Sequence, residues 1–298
     1  MKFLTKILFF STFLYALNAH ALSILKHAED DLRGNYSVTS YSDYFPFGYK
    51  TYAPNKSALD SVFKDALSDL SQSSKASFSY IYFENISDAV IHMKEGKTQI
   101  FLGAFYATNS FDDFDFVFPA ALNNPIHLIM LPNKIGEVKS TEDLKNLKGI
   151  YLQTEIFSDH MLQVFHDYSF APVSDADEAY KKLLTQEVDF IIGSYYYQYA
   201  QVLERGLKDY VAFSTRPLFN MPMFIALSKR TGNKIELQEY FRRLLANNTF
   251  KQKVLEHIKQ RIKEKENACV GVVPPMYIKP QSTNDLTPAD ERLEETQQ

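Results

Sequence analysis

Two strongly apolar segments constrain the fold of this chain more than any other feature of its sequence. Residues 99–106 (QIFLGAFY) and 188–194 (VDFIIGS) carry few polar side chains. A strand that is apolar on both faces is typical of a parallel sheet covered by helices on both sides. Segments with apolar residues at helical spacing alternate with such runs, so the sequence predicts an α/β fold with mostly parallel sheets.

Periodicity and capping signals place the predicted elements in order along the chain. Strands are predicted at 37–41, 77–83, 99–106, 115–119, 126–131, 150–153, 188–194, 210–214 and 223–228. Helices are predicted from residue 57 to about 70 and at 85–95, 141–147, 158–168, 174–184, 195–205, 234–246 and 249–265. Asn85 or Ser87 is a candidate cap of one helix, and Gly96 follows its end.

The amino terminus has the order of charges and apolar residues expected of a secretory signal. Lys2 and Lys6 precede an apolar run over 7–17, and small residues at Ala19 and Ala21 suit a signal peptidase. The run is shorter than the roughly 20 residues of a membrane-spanning helix. The sequence predicts cleavage near Ala21 and a periplasmic location, and an uncleaved membrane anchor is the alternative.

The composition of the chain limits the kinds of molecule that the protein is expected to bind. The chain has 32 basic and 36 acidic residues and a formal net charge of −4, without a clustered basic face, so nucleic-acid binding is not expected. Cys269 is the single cysteine, so no intramolecular disulfide forms. Export without disulfides favours a bacterial periplasm. Cys269 is expected either to be a buried inert thiol or to pair between chains.

Five short motifs, taken in order, resemble those of a known family. The motifs are Tyr44-Phe45-Pro46-Phe47, MKEG at 93–96 before the strand at 98–103, FDFVFP at 114–119, STEDLKNLKG at 140–149 and QEVDFII at 186–192. Their order over 35–265 resembles the bacterial periplasmic solute-binding proteins of type II fold, in family 3, the polar amino-acid-binding family. The chain would be an atypical member.

The resemblance implies two lobes, each a mostly parallel sheet flanked by helices, with two crossover strands as the hinge. Lobe 1 would comprise 22–122 and 219–268, and lobe 2 would comprise 123–218. Residues 1–21 would be the leader and residues 269–298 a flexible tail. A small-molecule ligand would bind in the cleft between the lobes.

Two departures from the family pattern bear on the ligand. The resemblance implies an Arg just after the strand at 99–106, for a ligand carboxylate, but the segment 107–111 reads ATNSF. It also implies an Asp for the ligand ammonium at the end of the strand at 188–194, where this chain has Ser194. We therefore do not expect a standard α-amino acid to bind through this clamp.

The side chains left for the cleft are aromatic or neutral and polar. The predicted ligand-binding residues are Tyr41, Tyr44, Phe47, Phe105, Tyr106, Thr108, Asn109, Gln153, Thr154, Ser194 and Tyr195. Phe45, Tyr196 and Tyr197 are expected beside them. Aromatic faces bind flat ligands and cations. The alternative for each ring is packing in the core or between the lobes.

These observations lead to one main hypothesis and two alternatives. The main hypothesis is a monomeric solute-binding protein without enzymatic activity or cofactor, which captures a small polar or aromatic molecule for an inner-membrane ABC permease or a sensor. One alternative is a structural or interaction protein on a degenerate binding fold. The other is an enzyme on the same scaffold, although the sequence has no serine-hydrolase elbow and no glycine-rich phosphate loop.

Overall fold

The described part of the chain is built on one large mixed sheet. The computed structural model describes residues 32–53, 56–72, 74–106, 114–136, 138 and 140–275, with the backbone alone for 51–53 and 56–58. The strands are β1 (Arg33–Thr39), β2 (Tyr49–Ala53), β3 (Lys56–Asp60), β4 (Lys75–Tyr80), β5 (Ile100–Phe105), β6 (Phe114–Met130), β7 (Gly149–Leu152), β8 (Ala171–Val173), β9 (Phe190–Ser194), β10 (Ala212–Phe213) and β11 (Phe219–Ser228). The helices are α1 (Val62–Leu70), α2 (Ile86–Glu95), α3 (Asp159–Asp167), α4 (Ala176–Leu184), α5 (Tyr195–Glu204), α6 (Lys234–Ala246) and α7 (Thr249–Ala268).

Strand order divides the sheet into two similar halves. The order is β4-β1-β5-β11-β6-β9-β7-β8, and β10 pairs with β6. In the first half β4, β1 and β5 are parallel and β11 is antiparallel to β5. In the second half β8, β7 and β9 are parallel and β6 is antiparallel to β9. The predicted α/β class with mostly parallel strands is confirmed. We call the first half with α1, α2, α6 and α7 lobe 1, and the second half with α3, α4 and α5 lobe 2.

A single strand of 17 residues, β6, runs from one lobe to the other. The sequence predicted two separate strands at 115–119 and 126–131, and prolines such as Pro119 and Pro125 are uncommon inside a sheet. The ladder between β6 and β11 shifts register between Met223 and Ile225, opposite the stretch that holds Pro119. A proline is tolerated there because its missing N–H is not needed in an interrupted ladder. That prediction was wrong in splitting the strand.

The helix predicted from residue 57 begins later. Residues Lys56–Asp60 form β3, which pairs with β2 in a hairpin. Helix α1 begins at Val62, and the hydroxyl of its cap, Ser61, accepts a hydrogen bond from the Phe63 N–H. Leu59 is buried, but it belongs to strand β3 of the hairpin and not to a helix. Helical spacing was misleading here because pairing with the preceding strand β2 overrode it.

Other local signals agree with the structure more closely. Asn85 caps α2, and Gly96 ends it with a φ of 76°, a backbone conformation that favours glycine. Helix α4 begins at Ala176, two residues later than the predicted start at 174, because Asp175 caps it by accepting a hydrogen bond from the Asp177 N–H. The short strand β8 was not predicted.

The last helix connects the two lobes. The first turns of α7 pack on α1, where the rings of Phe250 and Phe63 stack with centroids 6.3 Å apart. Near its end, the Tyr199 hydroxyl of α5 donates a hydrogen bond to Glu266. The backbone carbonyl of Val272 then lies against Gly206.

The leader and the flexible tail stay predictions. Residues 276–298 of the predicted tail and the leader 1–21 lie outside the described residues. Among the helices that the structure describes, none is long and apolar enough to cross a bilayer.

Candidate ligand-binding site between the lobes

Four of the predicted site residues form one aromatic cluster at the cleft side of lobe 1. Tyr41 and Tyr44 follow β1, and Phe47 lies in the same loop. The Tyr41 ring lies 5.5 Å from the Phe105 ring and 5.7 Å from the Tyr44 ring. The Phe105 backbone N–H donates a hydrogen bond of 3.1 Å to the Tyr41 hydroxyl. All four side chains are buried, and burial raises the pKa of both tyrosines.

Two tyrosines of helix α5 meet this cluster from lobe 2. The rings of Tyr44 and Tyr197 are stacked, with centroids 5.3 Å apart and planes at 17°. The rings of Phe47 and Tyr196 meet edge to face at 5.7 Å. Such pairs contribute about 0.5 to 1.5 kcal/mol beyond the area that they bury. The loop after β1 and the first turn of α5 are therefore in direct contact across the lobes.

A chain of buried polar side chains crosses the same contact. The Asn124 amide on β6 donates to the Tyr44 hydroxyl at 3.1 Å, and the Ser194 hydroxyl donates to the Asn124 amide oxygen at 2.8 Å. The Ser194 backbone N–H donates to Glu155 at 2.7 Å. Gln198 donates to the other oxygen of Glu155. Each of these four polar side chains from Asn124 to Gln198 is buried, so the network replaces water contacts that burial removes.

The network ends inside lobe 2. The Tyr180 hydroxyl of α4 donates to the Gln198 amide oxygen at 2.7 Å. Tyr180 is among the largest fully buried side chains of the molecule, and burial raises its pKa well above the ordinary value. The polar chain therefore links the aromatic cluster of lobe 1 to the core of lobe 2.

Glu155 is the carboxylic acid of this network, and the sequence did not single it out. It lies in the connection between β7 and α3 and is 6% exposed. Burial raises the pKa of Glu155 to about 8, although the hydrogen bonds from Ser194 and Gln198 act in the opposite direction. One sequence signal could have found it: Glu155 follows the carboxyl end of a parallel strand, the edge where ligands bind in open α/β sheets.

Asn124 was also missed. It lies in the interior of β6, between the exposed Asn123 and the half-buried Pro125, and its own side chain is fully buried. Its amide nitrogen donates to the Tyr44 hydroxyl in lobe 1, and its amide oxygen accepts from the Ser194 hydroxyl in lobe 2. It was missed because the predicted strands at 115–119 and 126–131 leave residue 124 in the connection between them, whereas β6 is continuous there.

The remaining predicted residues lie around this contact or away from it. Tyr106 is 69% exposed and packs edge to face on Phe116. The Tyr195 ring stacks on the Tyr199 ring, with centroids 5.7 Å apart. Gln153 and Thr154 are exposed, and the Thr154 hydroxyl interacts with Tyr197. Thr108 and Asn109 lie outside the described residues.

An open groove of about 700 Å³ lies elsewhere on lobe 2, beside the start of β7. Its polar lining residues, among them Lys145, Lys148 and Asp167, are exposed. A site that selects a ligand needs convergent polar groups that are shielded from water. The interlobe contact meets that condition and the groove does not.

The comparisons with known proteins identify the architecture. No protein-family model matches the sequence, and no curated protein matches it either. A putative binding component of an ABC transporter from Wolinella succinogenes, complexed with lysine, is similar in structure with a TM-score of 0.59 at 15% identity, covering 77% of this chain and 96% of that one.

Two further structures are similar. One is an amino acid ABC transporter substrate-binding protein from Streptococcus pneumoniae bound to L-arginine, with a TM-score of 0.53 at 14% identity, covering 77% of this chain and 94% of that one. The other is an ancestral cationic amino acid solute-binding protein, with a TM-score of 0.53 at 15% identity and coverage of 78% and 97%. The predicted fold is therefore confirmed: the chain has the two-lobed type II fold of the periplasmic solute-binding proteins.

Proposed function

We propose that this protein is a periplasmic solute-binding protein. It captures a small molecule between its lobes and passes it to an inner-membrane ABC permease or to a sensor, without chemical change. The observation that carries the proposal is the buried polar chain from Tyr44 to Glu155, which crosses the lobe contact inside an aromatic lining. Ligand sites in such folds combine a few convergent polar groups with apolar and aromatic walls.

The ligand is proposed to be other than a standard α-amino acid held by an Arg and an Asp. At the position where the family pattern has Asp, the Ser194 hydroxyl already donates to Asn124. A ligand carboxylate would have no guanidinium partner from 107–111, since that segment contains no Arg. Burying an unpaired charge is unfavourable, so a zwitterion would need other partners.

The proposed lobe boundaries follow from the crossover strands. We place the divisions near residues 122 and 218, where β6 and the start of β11 pass between the half-sheets. Opening would bend these two strands and separate the Tyr44 ring from the Tyr197 ring. The protein is proposed to act as a monomer.

A thermal-shift screen tests the binding proposal. Purified protein lacking 1–21 is heated with a broad set of polar and aromatic metabolites, because a ligand that binds the native state raises the melting temperature. Tyr44→Ala should abolish the shift, and Tyr168→Ala, at the distant groove, should keep it. If no compound raises the melting temperature of the wild type, the proposal fails.

Export is tested separately. We expect osmotic shock of a Gram-negative host to release the full-length gene product with an amino terminus at or near Leu22. Recovery of the intact leader in the membrane fraction would support the anchor alternative.

A second candidate function is a structural or interaction role on a degenerate binding fold. It is favoured by the tight contact of Tyr44 with Tyr197 and by the bridge that α7 makes to lobe 2, where Lys265 also pairs with Glu204. Small-angle scattering separates the two: a binding protein should change its radius of gyration with a stabilising compound. A structural protein should keep one conformation throughout.

A further inference from the structure

The buried carboxylate of Glu155 has hydrogen-bond donors but no counter-charge. Its two oxygens accept from the Ser194 N–H and from the Gln198 amide, both of which are neutral. Within the part of the chain that the structure describes, no lysine, arginine or histidine forms an ion pair with it. A buried carboxylate without a cation is among the least favourable groups that a fold can hold.

The fold nevertheless makes space for this group. A Cβ on Gly193 would lie 2.3 Å from the Glu155 Oε1 atom and 2.7 Å from the Gln198 Nε2 atom. Since both distances are far below van der Waals contact, the absence of a side chain at Gly193 is what allows the carboxylate to lie against β9. The position is therefore a built pocket for the carboxylate rather than an accident of side-chain packing.

The groups facing Glu155 from the surrounding elements are aromatic or remote. Tyr44, Tyr180 and Tyr197 are near enough for the carboxylate to raise their pKa values. The Arg205 guanidinium lies over the Tyr180 ring, 5.7 Å from the ring centroid. Arg205 also forms an ion pair with Asp177. The Tyr44 and Tyr197 rings are stacked on each other here, and separation of the lobes would expose their electron-rich faces, which attract cations.

We infer that the cleft selects an organic cation, an amine or a guanidinium, with Glu155 as its counter-charge and the Tyr44 and Tyr197 rings as its walls. The inference rests on the proposed solute-binding function and adds the chemical class of the ligand. Ser194 and Gln198 hold the carboxylate in position. The cation enters when the lobes open and the two rings separate.

Binding of a cation should release a proton. Because burial raises the pKa of Glu155 to about 8, the acid is mostly protonated at pH 7 before binding. A cation beside it favours the ionised form, so one proton leaves the carboxyl group as the cation arrives. The affinity should then rise about tenfold per pH unit between pH 6 and pH 8 and level off above the pKa.

Three matched compounds test the charge preference on one ring system: tyramine, which is cationic, tyrosol, which is neutral, and 4-hydroxyphenylacetate, which is anionic. Agmatine adds a guanidinium without a ring. We expect at least one of the two cations to raise the melting temperature of the wild type and the other two compounds to leave it unchanged. Glu155→Gln should weaken binding of that cation at least tenfold at pH 8, and Glu236→Gln, an exposed control on α6, should not.

Titration calorimetry in two buffers of different ionisation enthalpy gives a test that needs no variant, since it counts the protons released per cation bound. Close to one proton at pH 7 is expected. The inference is overturned if Glu155→Gln binds the cation as the wild type does, if no proton is released, or if neither cation binds. Stabilisation by tyrosol or by the anion alone would overturn the cation inference and leave the proposed binding function intact. If no compound of the broad metabolite set stabilises the wild type, both the inference and the proposed function are refuted.

Discussion

Replacing Glu155 by glutamine should change how the stability of the protein depends on pH. Glutamine keeps the shape of the protonated acid and can still accept from the Ser194 N–H, but it cannot ionise. The Gln198 amide can turn so that its oxygen accepts and its nitrogen donates to Tyr180, since amide orientation follows the hydrogen-bond network. The variant should therefore fold and lose only the titration.

The sign and size follow from the raised pKa. The ordinary pKa of this carboxyl is 4.5, and in the folded protein burial raises it to about 8. The folded state therefore holds a proton that the unfolded state releases, so the free energy of unfolding falls as pH rises from 4.5 through 8. With about 1.4 kcal/mol for each unit of pKa difference, the wild type should lose about 3.5 kcal/mol between pH 5 and pH 8 through this group.

Urea unfolding followed by circular dichroism at pH 5, 6, 7 and 8 measures this loss. The wild type and Glu155→Gln should have similar free energies of unfolding at pH 5, and the variant should be the more stable one at pH 8. The wild type and the variant share every other ionisable group, so the difference between their free energies of unfolding removes the contributions of those groups. Burial lowers the pKa of His127, for example, so its contribution is present above the ordinary histidine pKa and lost as pH falls, which is the opposite trend.

Parallel pH profiles for the two proteins would refute the reasoning. They would mean that Glu155 ionises in the folded state as it does in the unfolded chain, and hence that water or a cation reaches it. Glu236→Gln provides the matched control, because it removes an exposed carboxylate on α6 that lies outside the buried network.

Two further substitutions test the packing around the site. Gly193→Ala should destabilise the protein by about 1 to 3 kcal/mol, because its Cβ overlaps the Glu155 carboxylate, and Gly136→Ala, which meets no atom within 4 Å, should not; urea unfolding of both variants gives the comparison. Phe47→Ala should cost about 3 to 5 kcal/mol by leaving a cavity under a fully buried ring, and a loss below 1 kcal/mol in the same assay would contradict the packing described.

Local signals in the sequence were sufficient where the structure they specify is itself local. Helix α2 is an example, since Asn85 and Gly96 act on the backbone within four residues of themselves. The hairpin of β2 and β3 was missed because 57–60 has helical spacing and its partner strand lies outside that window. The continuity of β6 was missed for a related reason: Pro119 ends a strand in isolation, and only the shifted ladder with β11 accommodates it.

Of the candidate site, the sequence singled out the aromatic cluster and Ser194, but not Asn124, Glu155 or Gln198. The loop after β1 supplied Tyr44 and Phe47 because an aromatic run at the end of a strand is visible in the sequence. The three consecutive tyrosines that begin at Tyr195 were more difficult to assign to the site. Successive residues on a helix point about 100° apart, and the sequence does not show which of the three faces lobe 1. Glu155 acquires its importance from burial, which arises from segments distant in the chain.

The ionisation of Glu155 links the stability measurement to the ligand. At pH 7 the fold favours the protonated acid, in which the network closes among Ser194, Gln198 and Tyr180 and the lobes pack ring against ring. A neutral side chain of the same shape would satisfy that network without the loss of stability at higher pH, so a structural role alone does not explain an ionisable group. A cation explains it, because pairing converts the unfavourable charge into the source of selectivity. Two results together would support this argument: Glu155→Gln is more stable than the wild type at pH 8, and it no longer binds the cation. Glu155 then lowers the free energy of unfolding of the ligand-free protein, and the bound cation raises it again.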